Sequence, residues 1–319
     1  MTGRAFVTGA TGFVGSHLVD ALLARGWQVR ASVRKTSDLR WLAGKPFEPA
    51  PVSLRSRDAV ARALDGCDAV FHVAGTLAAR SLKEFREGNW QLSKCMVEGA
   101  LAARVPRFVH VSSLAAAGPS PDGRALDEEA ACAPVSLYGR TKLEGEREVL
   151  KHAGTLAVTV IRPPAVYGPR DRGMLDMFKV VAAGVVPQIG GPKRVSIVHV
   201  EDLVRGIVEA PAGLFYLAND RAHAVVDLLE IIRAAVGRRA MRVAVPDRVV
   251  RFLGRVAEKA LPLLGKGGLF THDKAVELTQ PFWVCSTARA KRVFGWEARV
   301  PIEQGLRDTL AWYRRERWL

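Results

Sequence analysis

The chain of 319 residues is 49% hydrophobic and 25% charged, a composition typical of a globular protein with a sizeable core. Its net charge of +15 would suit nucleic acid, but the basic residues are dispersed and no nucleic-acid-binding module is visible, so we expect no such partner. No apolar run is long enough to span a membrane and no secretory signal is apparent. Four scattered cysteines without metal-ligand spacing predict no metal site and a cytoplasmic location.

The first half of the chain alternates short apolar strands with amphipathic helices. Strands are predicted at 4–8, 28–33, 69–73, 108–112 and 157–161, with a further one ending near Ser53. Helices are predicted at 13–25, 59–64, 81–103 and 137–152. Strands that are apolar nearly throughout are typical of a parallel sheet covered on both faces. We therefore predict an α/β fold with a doubly wound parallel Rossmann sheet.

The second half of the chain is less regular. It predicts strands at 195–200 and 214–217, helices at 202–209, 225–235 and 302–315, and one or two helices in the apolar and basic segment 247–264, with Pro262 near the end. We expect a dinucleotide-binding domain at 1–165, with 195–219 returning to it. Residues 166–194 and 220–319 would form a smaller α/β substrate-binding lobe over the carboxyl ends of the strands.

A glycine-rich loop links the first predicted strand to the first predicted helix. Gly9 allows the tight turn, Gly12 lets the backbone approach a pyrophosphate, and Gly15 lets helix and strand pack closely. The helix N-terminus that follows offers free N–H donors to phosphates. The loop therefore predicts a dinucleotide site at Gly9, Thr11, Gly12, Phe13, Val14 and Gly15.

The loop sequence TGATGFVG is followed, in order, by HVAG at 72–75, VSS at 111–113, YGRTK at 138–142, RPPAVYGP at 162–169, VHVED at 198–202 and ARAKRVFGW at 288–296. On these motifs the chain resembles the extended short-chain dehydrogenase/reductase superfamily, the NAD-dependent epimerase/dehydratase family. It is most similar in motif to dihydroflavonol reductases and 3-beta-hydroxysteroid dehydrogenases. The resemblance extends over nearly the whole chain and implies an NAD(P)-dependent enzyme.

Three residues form the predicted catalytic group: Ser113, Tyr138 and Lys142. Tyr138 and Lys142 are four residues apart on a predicted helix and project from one face. A phenol has an ordinary pKa near 10, and we expect the Lys142 ammonium and a positive nicotinamide ring to lower the pKa of Tyr138. Ser113 follows a strand and can hold a substrate oxygen beside the tyrosine. Asn89 is a supporting residue by resemblance.

The cofactor is expected to be NADP(H), with NAD(H) as the alternative. The second strand ends at Arg34 and Lys35, where NAD-binding folds carry a carboxylate, and a guanidinium can pair with a 2′-phosphate. Ser32 is a helper. The resemblance further implies cofactor contacts from Ser53 and Leu54, which replace the usual Asp-Leu pair, and from Val73, Ala74, Gly75, Ser112, Tyr138, Lys142, Pro163 and Val166.

The reaction has three candidate types: a reductase or alcohol dehydrogenase, a nucleotide-sugar epimerase using bound NAD, and a regulator without catalysis. The complete catalytic group disfavours a regulator. Leu114 and Ala115 replace the acid and base of dehydratases, and Ala165 replaces an epimerase asparagine, by resemblance. The apolar segment 247–264 favours a pocket for an apolar ketone. We therefore predict a small-molecule carbonyl or alcohol substrate.

Three smaller expectations remain. The basic, amphipathic segment 247–264 makes peripheral membrane contact an alternative to packing within the lobe. A homodimer could form through the helices predicted at 81–103 and 137–152. His199 and Asp202 are expected to be structural, with Asp202 capping the helix that it begins.

Overall fold

The computed structural model describes residues 3–260 and 271–319. The strands of these ranges are β1 Arg4–Thr8, β2 Gln28–Ser32, β3 Phe47–Ala50, β4 Ala69–His72, β5 Arg107–Val111, β6 Ala157–Arg162, β7 Ala165–Tyr167, β8 Val185–Ile189, β9 Arg194–Val195, β10 Ile197–His199, β11 Gly213–Tyr216, β12 His223–Ala224, β13 Met241–Val245 and β14 Phe282–Trp283.

The helices are α1 Phe13–Ala24, α2 Arg57–Ala63, α3 Leu82–Arg86, α4 Leu92–Ala102, α5 Leu114–Ala117, α6 Leu137–Leu150, α7 Leu175–Ala182, α8 Val200–Glu209, α9 Val225–Val236, α10 Asp247–Ala260, α11 His272–Leu278, α12 Ala288–Phe294 and α13 Ile302–Arg315. A π-helical turn, Glu87–Gln91, joins α3 to α4. In this part of the chain no helix has the length and apolarity that crossing a bilayer requires.

Seven strands form a parallel sheet in the order β11-β6-β5-β4-β1-β2-β3. Strand order reverses between β1 and β4, where Val7 lies opposite Phe71. Because loops leave neighbouring strands in opposite directions at such a reversal, a crevice opens at the carboxyl ends of β1 and β4. The predicted doubly wound Rossmann sheet is confirmed.

Helices cover both faces of the sheet because successive strand residues point to opposite sides. On β1, Val7 is buried in one core with α1 and α8, whereas Phe6 is buried in a second core with α2, α4 and α6. Each core consists mainly of apolar side chains, since neither sheet face is open to water, and the strands also bury the polar side chains of His72 and His110. Because helices pack on both faces of the sheet, the strand ends next to the predicted site residues are held in place.

The remaining strands lie outside the seven-stranded sheet in three small sheets: β10 with β7, β9 with β12 and β14, and β13 with β8. Helices α7, α9 and α13 pack together around a further core that includes Phe178 and Tyr313. Of the segment 195–219, β11 joins the large sheet and α8 packs on α1. The division of the chain into a domain and a lobe stays a prediction.

Several predicted elements differ from the observed ones. The helix predicted at 81–103 contains the π turn, the strand expected near Ser53 ends at Ala50, and the strand predicted at 195–200 is split between β9 and β10. The two parts pair with different strands, and Ser196 between them donates its N–H to the Trp283 oxygen and accepts the Cys285 N–H at its hydroxyl. The last part of the segment 247–264, with Pro262, lies outside the described residues.

We had expected Asp202 to cap helix α8, but the cap is His199. The His199 ring accepts a hydrogen bond from the Glu201 N–H, while Asp202 lies in the first turn of the helix. The Asp202 carboxylate instead accepts hydrogen bonds from the N–H groups of Arg299 and Val300. Asp202 therefore fastens α8 to the segment before α13, a role that depends on residues nearly a hundred positions away.

Candidate active site

The predicted site residues lie at one edge of the sheet, directly after the carboxyl ends of its strands. The glycine loop follows β1, Val73–Gly75 follows β4, and Ser112 and Ser113 follow β5. Since these three strands are parallel neighbours, their ends converge on the crevice at the strand-order reversal. Arg34 and Lys35 follow β2, and Pro163 follows β6, so they lie further along the same edge.

The glycine loop has the geometry expected of a phosphate cradle. Gly9 has a φ of +69°, and a Cβ on Gly15 would lie 2.0 Å from the Gly9 oxygen, so both positions require glycine. A Cβ on Gly12 would lie 3.3 Å from the Gly9 oxygen, a tight contact that would require a small shift of the loop backbone. Helix α1 starts there without a side-chain cap, leaving its first N–H groups to a ligand. The loop therefore fits a dinucleotide pyrophosphate.

Tyr138 occupies the first turn of α6, where its ring lies 6.5 Å from that of Phe85. Burial raises the pKa of its phenol above the ordinary value, while hydrogen bonding with Ser113 acts in the opposite direction. The pKa lowering that we expected from Lys142 is not observed, because desolvation outweighs the other influences within the chain. The phenol is therefore protonated at neutral pH, which is the form that can donate a proton.

Lys142 lies one helical turn beyond Tyr138 and is only 4% exposed. Its ammonium donates a 2.7 Å hydrogen bond to the backbone oxygen of Val111, at the end of β5. Burial lowers the pKa of Lys142 to about 8, although the nearby Glu146 favours the charged form. A Cβ on Gly75 would lie 3.7 Å from the ammonium, so Lys142 also borders the loop after β4.

Asn89 connects the loop after β4 with α6, the proposed catalytic helix, which carries Tyr138 and Lys142. Its amide oxygen accepts a 2.8 Å hydrogen bond from the Thr76 N–H, and its amide nitrogen donates to the Thr141 hydroxyl at 3.0 Å. Thr141 lies between Tyr138 and Lys142 in the sequence. The π turn at Glu87–Gln91 includes Asn89, whose side chain is 2% exposed. The supporting role expected for Asn89 is therefore a structural bridge in this geometry.

A clamp from α11, which no local sequence pattern indicates, holds the start of α6. The Asp273 carboxylate accepts hydrogen bonds from the N–H groups of Leu137, at 2.6 Å, and Tyr138, at 3.1 Å. Ser136 caps the same helix and donates a 2.7 Å hydrogen bond to Glu277. The negative charge of Asp273 at a helix N-terminus is electrostatically favourable. Of these residues, Ser136 alone could have been found from a local pattern. It lies directly before the helix and accepts the N–H of Gly139, three residues on, as an N-cap serine does.

Other predicted cofactor residues are distributed along the rim. Arg34, Lys35 and Ser53 are exposed, while Leu54 packs against the second core. The Ala74 N–H bonds to the Thr8 hydroxyl at 3.1 Å, which fixes the loop after β4 beside β1.

Three remaining predicted cofactor residues are less exposed than Arg34, Lys35 and Ser53: Ser112, Pro163 and Val166. Ser112 is 4% exposed and its hydroxyl has no partner within 3–260 and 271–319, so it remains available to a ligand. Pro163 accepts a hydrogen bond from the Leu114 N–H, and Val166 pairs with Val198. No cluster of potential metal ligands occurs in the described part of the chain.

The fold and these motifs agree with comparisons to known proteins. A family model described as NAD dependent epimerase/dehydratase family matches residues 5–212. A ceramide reductase from Caulobacter vibrioides is 32% identical over 325 residues, covering 99% of this chain and 96% of the relative. Sterol demethylase protein B from Methylococcus capsulatus is 34% identical over 262 residues, covering 77% of this chain and 78% of the relative.

A solved structure, MoeE5 in complex with UDP-glucose and NAD, superposes with a TM-score of 0.77 at 25% identity, covering 98% of this chain and 99% of the other. The resemblance inferred from the sequence motifs is thereby confirmed. The chain belongs to the NAD-dependent epimerase/dehydratase family and is an NAD(P)-dependent oxidoreductase of the extended short-chain dehydrogenase/reductase type.

Proposed function

We propose that this enzyme is an NADP(H)-dependent reductase that reversibly converts a carbonyl group of an apolar small molecule into an alcohol. The observation that carries the proposal is the joint position of Ser113, Tyr138 and Lys142, at the end of β5 and in the first two turns of α6. Lys142 borders Gly75, and the glycine loop packs against the neighbouring Ala74, so a dinucleotide held along this edge would reach the group.

In this mechanism NADPH, when bound, supplies the hydride that the carbonyl carbon requires. Tyr138, which is protonated at neutral pH, donates its phenolic proton to the carbonyl oxygen as a general acid. Ser113 holds the same oxygen beside the phenol. Lys142, with a pKa of about 8, is mostly charged at neutral pH and stabilises the phenolate that proton donation leaves.

The preference for NADP(H) rests on Arg34. Its side chain is exposed and forms no ion pair with any described residue, whereas the first carboxylate after β2, Asp38, pairs with Arg40 at 2.6 Å. A guanidinium without a competing partner can bind the 2′-phosphate of NADP(H) in a two-pronged arrangement. Lys35 adds a second positive charge, and Ser32 lies at the end of β2.

Replacing Arg34 with alanine is expected to weaken NADPH binding about thirtyfold and to change NADH binding less than twofold. The lost charge-assisted hydrogen bonds are worth about 2 kcal/mol, and NADH has no phosphate at that position. Cofactor titration by fluorescence measures both affinities. Arg25→Ala is the matched control, because Arg25 caps the opposite end of α1 and pairs with Glu209. Equal weakening of both cofactors would remove Arg34 as the selectivity residue.

The proposed apolar substrate draws on the relatives, one described as a ceramide reductase and one as a sterol demethylase protein. The segment 247–264, which we expected to line the pocket, contributes little to this argument. In α10 the side chains of Val249, Phe252, Leu253 and Val256 are exposed, and only Val250 is deeply buried. Leu114 and Ala115, directly after Ser113, are buried and apolar and cannot transfer protons, which disfavours dehydration.

The alternative is a nucleotide-sugar epimerase that recycles its own NAD, a reaction type suggested by the UDP-glucose complex of MoeE5. Cofactor oxidation by the purified enzyme separates the two. We expect NADPH consumption with long-chain, sterol or aromatic ketones and slower consumption with NADH. Conversion of a UDP-sugar without net cofactor consumption, and no turnover of any ketone, would favour the epimerase instead.

Two further predictions belong to this proposal. A homodimer would use the outer faces of α3, α4 and α6, where Arg86 and Glu144 already join two of these helices. The cytoplasmic location is supported by the four cysteines, all of which are free thiols.

A further inference from the structure

Helix α10 presents an apolar stripe to the outside of the protein. The stripe consists of Val249, Phe252, Leu253 and Val256, spaced three, four and seven residues apart and therefore on one helical face. Phe252 is 63% exposed and Leu253 is 48% exposed, which is unusual for large apolar side chains that lie together. An exposed stripe of this kind marks a surface that binds something apolar.

The opposite face of α10 is fastened to α11, so the stripe is held facing outward. A Cβ on Gly254 would lie 2.6 Å from the Cβ of Ala275, which shows how closely the two helices approach. The Arg251 side chain donates a 2.9 Å hydrogen bond to the Thr279 hydroxyl. Glu258 accepts a 3.1 Å hydrogen bond from the His272 N–H. Rotating the stripe inward would break these contacts.

Positive charge borders the stripe. Arg248 and Arg255 are seven residues apart, lie beside Phe252 on the helix surface, and are exposed. Neither forms an ion pair with a described residue, and the whole chain carries a net charge of +15. A second copy of this chain would bring the same arginines against each other, so the charge favours an anionic partner instead.

The stripe is also close to the catalytic helix. Helix α11, which holds α10, provides Asp273, and this carboxylate accepts the backbone N–H of Tyr138. A surface bound by α10 would therefore be separated from the proton donor on α6 by α10 and α11. An apolar substrate dissolved in a lipid layer would meet the protein on this side.

We propose that α10 docks the enzyme on an anionic lipid surface, with the apolar stripe inserted among the lipids and Arg248 and Arg255 paired with their headgroups. A helix with one apolar and one basic face binds such surfaces through buried apolar area and attraction to anionic lipids. Each arginine near the surface contributes about a fivefold increase in partitioning. The docking is separate from the reductase activity and can be measured without cofactor or substrate.

The test is sedimentation of the full chain with vesicles of phosphatidylcholine alone or mixed with phosphatidylglycerol. We expect the protein to sediment with the mixed vesicles and to stay in solution with phosphatidylcholine. Val256→Glu is expected to lower partitioning at least tenfold. Val293→Glu is the matched control, because Val293 is exposed to a similar extent on α12 and the charge change is the same. Arg248→Gln with Arg255→Gln should lower partitioning about 25-fold.

Equal partitioning of Val256→Glu and Val293→Glu would overturn the proposal, because the net charge alone would then explain binding. Absence of wild-type sedimentation with mixed vesicles would overturn it as well. Urea unfolding of each variant confirms that folding is retained. A dimer in sedimentation velocity that Val256→Glu dissociates, without any change in vesicle binding, would assign the stripe to a second copy and would also overturn the proposal.

Discussion

Tyr138→Phe is expected to lower the turnover number for ketone reduction about a thousandfold while leaving the affinity for NADPH within twofold of wild type. The variant loses only the phenolic hydroxyl, which in our proposal gives the proton to the carbonyl oxygen. A positioned general acid contributes roughly a hundredfold to ten-thousandfold to such a step. The cofactor site depends on the glycine loop, Arg34 and Lys142, none of which changes.

The measurement pairs steady-state kinetics with cofactor titration. Tyr167→Phe serves as the control, because the Tyr167 hydroxyl is buried and has no hydrogen-bond partner among the described residues. We expect that control to retain turnover close to wild type. Turnover of Tyr138→Phe within tenfold of wild type would remove Tyr138 as the proton donor. A matching loss of NADPH affinity would indicate a binding role instead.

The free energy of unfolding is expected to fall by about 4 kcal/mol between pH 7 and pH 5. Burial lowers the pKa of His17 to about 4 and that of His72 to about 3, and it holds the pKa of His110 well below the ordinary value. The positive charge of Lys142 acts in the same direction on His72 and His110. These histidines stay neutral in the folded chain but bind protons once it unfolds.

The direction follows from proton linkage. Below pH 6.5 the unfolded chain binds more protons at these histidines than the folded chain, so stability is lost as the pH falls toward 4. His17 and His72 contribute about 2 kcal/mol each at pH 5, and His110 acts in the same direction. Asp171 opposes them by about 1 kcal/mol, because burial raises its pKa to about 6 and the folded chain then takes up a proton first.

Urea unfolding at the two pH values measures the difference. His110→Leu is expected to reduce the loss, since one neutral buried imidazole is removed. Phe108→Leu, two positions earlier on the same strand, should lower stability equally at both pH values, because it perturbs the same core without a titrating group. An unchanged pH dependence in His110→Leu would show that other groups cause the acid sensitivity.

The parts of the fold that the sequence predicts correctly depend on neighbours in the chain, and so does the local geometry of the predicted site residues. The glycine loop is a strand, turn and helix within a dozen residues, so spacing alone specifies Gly9, Gly12 and Gly15. The four-residue separation of Tyr138 and Lys142 likewise places both on one helical face. The alternation of apolar strands and amphipathic helices is enough to indicate a doubly wound sheet.

Features that depend on distant contacts were missed. Asp273 contacts the catalytic helix from more than 130 positions away, and no local pattern marks it. The π turn around Asn89 follows from bonds to Thr76 and Thr141, in two other segments. Burial opposes the lowering of the Tyr138 pKa that we expected from Lys142, because a charge can be read from the sequence but the extent of burial cannot.

The clamp between α11 and α6 limits how this chain can be recombined with a relative. A chimera that keeps residues up to 260 and takes a foreign carboxyl-terminal segment would exchange Asp273 and Glu277 for whatever the donor carries. Leu137 and Tyr138 would then lose their acceptor, and Ser136 its partner. Grafting a new substrate specificity onto this scaffold therefore requires that residues 271–279 stay with their own catalytic helix.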